Sequence, residues 1–100
     1  MQIKITVRFF GAARELAPDP FFSFFFTAGG TIKNVRQCLN LELQKINEIA
    51  KNEVQKNEKQ KLISNILNSS VFASESEILA EDDLIYQDIT LALIPPVCGG

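Results

Sequence analysis

Residues 89–100 read Ile89-Thr90-Leu91-Ala92-Leu93-Ile94-Pro95-Pro96-Val97-Cys98-Gly99-Gly100. The first six are almost continuously apolar and are stopped by proline, the pattern of a short strand buried on both faces of a sheet. Pro95 and Pro96 lack a ladder N–H and fix φ near −65°, so they project the following residues as a stiff, extended exit. Four residues beyond them reach at most roughly 13 Å. Gly99 and Gly100 carry no side chain, and such a tip can thread a channel too narrow for any other residue. By chance a chain ends in Gly-Gly about once in 200, and a frayed terminus is the competing reading. The combination of apolar strand, Pro-Pro exit and bare tip favours a presented tail over about residues 95–100.

Working outward, the 100 residues are read as one domain, 1–100, with a single core. No run approaches the ~20 apolar residues of a membrane span, and Met1–Ile5 lacks the basic and apolar regions of a signal peptide. A cytoplasmic protein is expected. Two cysteines, Cys38 and Cys98, make no disulfide framework. Cys38 sits in a helical apolar pattern and reads as core, whereas Cys98 lies in the tail with an accessible thiol. The chain has no histidine, which removes His-containing triads, His metal ligands and imidazole bases. Every Lys and Arg lies between Lys4 and Lys61, and from Leu62 onward only acids carry charge. That end is unsuited to nucleic acid, and either suits a basic partner surface or is a solvated acidic loop, the two readings weighing equally.

Ile3, Ile5, Val7 and Phe9 alternate with Lys4, Thr6 and Arg8, the period of a half-buried strand. A helical turn is expected at Ala12–Leu16, then a turn cluster, Ala17-Pro18-Asp19-Pro20. Phe21–Phe26 reads as a second strand, bulky on both faces, its outer face expected under a neighbouring element or a partner. Thr31 is a candidate N-cap. Ile32, Val35, Cys38 and Leu39 form a helical stripe that Leu43 and Ile46 continue. Two helices with a joint near Asn40–Glu42 are expected, one long helix being the alternative. Leu62–Leu67 fits helix or strand, Asn68-Ser69-Ser70 a turn, and Val71–Ala73 a short strand. Ser74–Asp88 is an acidic connection. The order implies an α+β roll with helices on one face of a small mixed sheet, the last strand central and the first beside it.

Phe9-Phe10-Gly11-Ala12-Ala13-Arg14-Glu15-Leu16, Thr31-Ile32 opening a helix, Asn68 before a short strand, and Pro95-Pro96-Val97-Cys98-Gly99-Gly100 together resemble the small, sulfur-carrier subunit of molybdopterin synthase (the MoaD family). The resemblance leaves out about 41–61, which is longer than the family pattern. It implies a ubiquitin-like β-grasp roll whose Gly100 carboxylate is adenylated with ATP by a ubiquitin-activating-type enzyme and converted to a thiocarboxylate. It further implies docking on the large synthase subunit, with Pro95, Pro96, Val97, Cys98 and Gly99 in that subunit's channel. Sulfur then passes to cyclic pyranopterin monophosphate. Phe9, Arg14, Leu93 and Ile94 are the partner-contact candidates. A heterotetramer with two copies of each subunit is implied, and no permanently bound cofactor, metal, nucleic acid or membrane.

Three narrower readings accompany this one. Cys98 could exchange with a persulfide, a tolerated tail residue being favoured. Arg14-Glu15 reads as an ion pair fixing the first loop in preference to a tail-positioning pair. Glu81-Asp82-Asp83 reads as a solvated turn in preference to a cation site. A sulfur carrier of the thiazole (thiamine) pathway and a ubiquitin-like interaction module with no tail chemistry are the alternatives.

Overall fold

The computed structural model describes residues 1–47 and 53–96, the side chains of 53–57 excepted. Strand β1 (Gln2–Phe9) turns Ile3, Ile5, Val7 and Phe9 inward and Lys4 and Arg8 outward, as its period of two requires. A short 3-10 turn, Gly11–Leu16, follows and buries Ala13 and Leu16. Strand β2 (Phe21–Thr27) returns antiparallel to β1, with Ile5 opposite Phe24. Phe24 and Phe26 enter the core.

Strand β3 (Gly30–Thr31) leads into helix α1 (Ile32–Asn47). Glycine suits position 30, because a Cβ there would run into the Phe26 ring. Thr31 caps α1 as expected: the Asn34 N–H donates to Thr31 Oγ1 at 3.1 Å, and the Thr31 N–H donates back to Asn34 Oδ1 at 3.0 Å. Ile32, Val35, Leu39 and Leu43 form the buried stripe. Leu39 and Leu43 are four residues apart on one face, with no Gly or Pro between them. The helix therefore runs through Asn40–Glu42, and the expected joint is not there. A second helix, α2 (Glu53–Ser69), lays Ile63 and Leu67 against the same core. This resolves Leu62–Leu67 as helix and carries the helix to Ser69, past the expected turn at Asn68.

Strands β4 (Val71–Ala73), β5 (Ile78–Leu79), β6 (Leu84–Ile85) and β7 (Ile89–Ile94) complete the fold. The main sheet runs β2-β1-β7-β4-β5, and β3 and β6 form a separate two-stranded ribbon. β7 is central, parallel to β1 and antiparallel to β4. One expectation fails here. Leu91 and Leu93 are buried, but Thr90 and Ile94 on the opposite face are exposed and Ala92 is only half-buried. The helices cover one face of the sheet alone, so its other face is open. The outer face of β2 is likewise uncovered by the chain: Phe21 is 56% and Phe25 75% exposed.

Arg36, on α1, braces the corner where α2 hands over to β4. Its Nη1 donates to the carbonyls of Leu67 and Ser70, the latter at 2.8 Å. Its Nε and Nη2 grip the Glu81 carboxylate at 3.0 and 2.6 Å. Its guanidinium lies 5.0 Å from the centre of the buried Phe72 ring. The hydrogen bond from Arg36 holds the Glu81 carboxyl below the usual carboxylate range; the charges of Arg36 and Lys33 add to this and partial burial opposes it. A folded-state value below the unfolded one stabilises above the ordinary carboxylate range and is lost as pH falls through it. Arg36→Ala is therefore expected to cost about 2–3 kcal/mol in urea denaturation at neutral pH. Glu81→Gln, an exposed partner, is expected to cost about 1 kcal/mol or less. It should also flatten the loss of thermal stability below about pH 4.3; a variant with an unchanged acid limb would contradict the assignment.

Candidate functional site: the C-terminal exit

The chain leaves the sheet at Ile94, and three distant segments frame that point. β4 supplies Val71, which is directly opposite Ile94 in the antiparallel ladder. The end of β1 supplies Phe10, whose N–H donates to the Leu93 carbonyl at 3.3 Å. The 3-10 turn supplies Gly11, with φ at +55°. A Cβ on Gly11 would make only ordinary contact with Pro95 Cγ, at 3.4 Å, so glycine is favoured there by the left-handed backbone. Pro95 is half-buried there and Pro96 exposed, and neither continues the strand.

Phe10, Val71 and Ile94 are 42%, 39% and 40% exposed. The register places Ala73 and Ala92 next to them on the same open face, with Arg8 opposite Ala92. The Arg8 guanidinium is 5.8 Å from the centre of the Phe10 ring. An apolar patch thus borders the exit, with one cation at its edge.

Of the sequence-predicted contact residues, Ile94 lies in this patch. Phe9 and Leu93 do not: both are buried, paired across the β1–β7 ladder on the helix-facing side. Their neighbours Phe10 and Ile94 point the other way, because successive side chains alternate. Phe10 is the residue that the sequence reading missed, and continuing the alternation of β1 by one position would have found it. Arg14 is exposed, but among the described residues neither Arg14 nor Glu15 forms an ion pair. The loop is held by its backbone, Lys59 Nζ donating to the Glu15 carbonyl at 3.0 Å. Val97, Cys98, Gly99 and Gly100, and the readings placed on them, lie outside the described residues.

Cys38, read as core, is only half-buried and packs at the core's margin. Burial, then the charge of Glu42, pushes its thiol upward, which keeps it protonated and unreactive at neutral pH. Glu81 is committed to Arg36, and Asp83 Oδ2 accepts the Ala80 N–H at 2.8 Å. Among the described residues no group of three or more Cys, Asp or Glu stands close enough to hold a metal ion. Nor is any described helix long and apolar enough to cross a membrane.

No family model matches the chain, and no curated protein matches it. Solved structures do. The crystal structure of SAMP1 from Haloferax volcanii superposes with a TM-score of 0.65 at 15% identity, covering 97% of this chain and 99% of that one. The solution structure of the Haloferax volcanii HVO 2177 protein gives 0.68 at 14% identity, covering 99% of this chain and 88% of that one. The fold is the ubiquitin-like β-grasp. At these identities the likeness concerns the fold, and any function must be argued from the exit itself.

The alternation at the exit is directly checkable. Leu93→Ala is expected to cost about 2–5 kcal/mol of stability, whereas Ile94→Ala should stay within about 1 kcal/mol of the parent. Equal losses in chemical denaturation would show that the inward and outward faces are misassigned.

Proposed function

We propose that this chain is the sulfur-carrier subunit of a molybdopterin synthase, acting in the cytoplasm. It contributes the sulfur donor and no catalytic side chains of its own. The observation that carries this reading is that the central strand of a β-grasp sheet runs directly into Pro95-Pro96-Val97-Cys98-Gly99-Gly100, beside an exposed apolar patch.

A carboxylate is a poor acyl donor to sulfur, because its leaving group would be oxide. In the proposed cycle Gly100 attacks the α-phosphate of ATP on an adenylating enzyme, giving an acyl adenylate and pyrophosphate. The terminal sulfur of a persulfide attacks the carbonyl carbon and AMP leaves. A second thiol then cleaves the S–S bond, leaving the Gly100 thiocarboxylate and a disulfide on the donor side. The carrier docks through its open face on the large subunit. The tail enters that subunit's channel, the thiocarboxylate sulfur displaces an oxygen substituent from a carbon of cyclic pyranopterin monophosphate, and water then cleaves the acyl–sulfur bond and restores the Gly100 carboxylate. Tethering keeps the sulfur at high effective concentration without releasing it. Ile94, Val71 and Phe10 serve as docking contacts, and Arg14, exposed on the adjoining turn, is a rim contact. Two carriers and two large subunits make the assembly, and no cofactor stays bound to the carrier.

Intact-mass analysis after incubation with ATP, an adenylating enzyme and a persulfide donor tests the reading. The expected result is a gain equal to the exchange of one oxygen for one sulfur, absent when Gly100 is deleted. An unchanged mass with an enzyme that charges its own carrier would overturn it. Ile94→Lys should preserve folding yet weaken docking on the large subunit roughly 30-fold or more, measured by calorimetric titration.

A further inference from the structure

The main sheet has two edges, and they are unequal. At one end lies β5, two residues long. At the other lies β2, seven residues long and in unbroken register with β1 from Phe21 to Thr27. Proteins normally guard such an edge with charge, proline, a bulge or a covering loop. Phe21–Thr27 contains no charged residue and no proline, and its outer face carries the two most exposed phenylalanines of the described residues, Phe25 and Phe21.

The direction of its free hydrogen-bonding groups follows from the ladder. The Phe9 N–H donates to the Pro20 carbonyl at 2.9 Å, and the Ala28 N–H donates to the Met1 carbonyl at 2.9 Å. In an antiparallel pair, hydrogen-bonded positions recur every second residue. The pairs Val7/Phe22, Ile5/Phe24 and Ile3/Phe26 are therefore the bonded ones. Phe21, Ser23 and Phe25 turn their N–H and C=O groups away from β1, toward the open edge.

We propose that a second copy of this chain occupies that edge, β2 pairing antiparallel with β2 of its partner about a two-fold axis at Ser23. In this register Ser23 faces Ser23, and Phe21 of each copy faces Phe25 of the other. All three positions are those with outward backbone groups, so they exchange about six hydrogen bonds. On the open face the same pairing sets aromatic against aromatic twice, the favoured cross-strand combination. No like charges meet, because the strand is neutral. The self-match selects a second copy as occupant, and the geometry closes: β5 is too short to receive β2, so head-to-tail growth is disfavoured and a two-fold dimer results. β1 separates β2 from β7, so both C-terminal exits stay outside the interface and the dimer is independent of any tail chemistry.

Sedimentation velocity and native mass spectrometry of the full chain test this. The expected species has twice the 11.2 kDa chain mass. Phe25→Lys should weaken the dimer roughly 30-fold or more with an unchanged far-UV spectrum, while Leu41→Lys, exposed on α1, should leave it intact. With Cys38→Ser and Cys98→Ser as background, Ser23→Cys should crosslink to itself under mild oxidation. Facing Cα atoms of a bonded pair lie about 5.5 Å apart, within the roughly 4.4–6.8 Å span of a disulfide. A wild-type chain that stays monomeric at the concentrations of the mass measurement, a dimer indifferent to Phe25→Lys, or a dimer in which Ser23→Cys does not crosslink would each overturn the proposal.

Discussion

Two-sided pairing of the last strand is the constraint from which the other features follow. Ala92 and Leu93 are in register with β1 on one side and with β4 on the other. A strand so placed has its backbone groups satisfied within the sheet, and its inward side chains, Leu91 and Leu93, are fully buried. Local opening of such a strand would leave unpaired groups on two neighbours, so it belongs to the most stable part of the fold. Whatever is attached beyond Ile94 is consequently attached to the firmest element in the molecule.

The same pairing gathers the exit from pieces that are remote in the chain. β1 contributes Phe10 because its ladder with β7 ends there, and β4 contributes Val71 because its ladder starts there. The brace at Arg36 fixes where α2 stops and so where Val71 stands. With helices on one face only, the outward members of these strands remain in water, and Phe10, Val71 and Ile94 among them form an exposed apolar patch. The middle of the sheet and its β4 side surround the exit, and its β2 edge lies on the far side of β1.

Much of this was legible in the residues. The alternation of Ile3, Ile5, Val7 and Phe9, the Thr31 cap and the stripe of Ile32, Val35 and Leu39 each specify an element through local physics, and each is found. The central position of the last strand was legible from its apolar run. Burial on both faces was not, because Ala92 and Ile94 suit an open face as well as a closed one, and only the placement of the helices decides between them. The resemblance makes Phe9 and Leu93 partner-contact candidates, whereas their parity with Val7 and Leu91 places them inside. Arg36 gave no local signal at all: its partners, Leu67, Ser70 and Glu81, are 31, 34 and 45 positions away. The joint expected near Asn40–Glu42 has no local counterpart: Asn40 Oδ1 accepts from Gln44 Nε2 at 2.7 Å along the continuing helix.

Native-state hydrogen exchange at the amides of β7 tests the central role of this strand most directly. The two-sided ladder requires the Ala92 and Leu93 amides to exchange only through global unfolding, with the same denaturant dependence as the whole domain. Exchange of those amides through a local opening of markedly lower free energy, with β1 still protected, would contradict it.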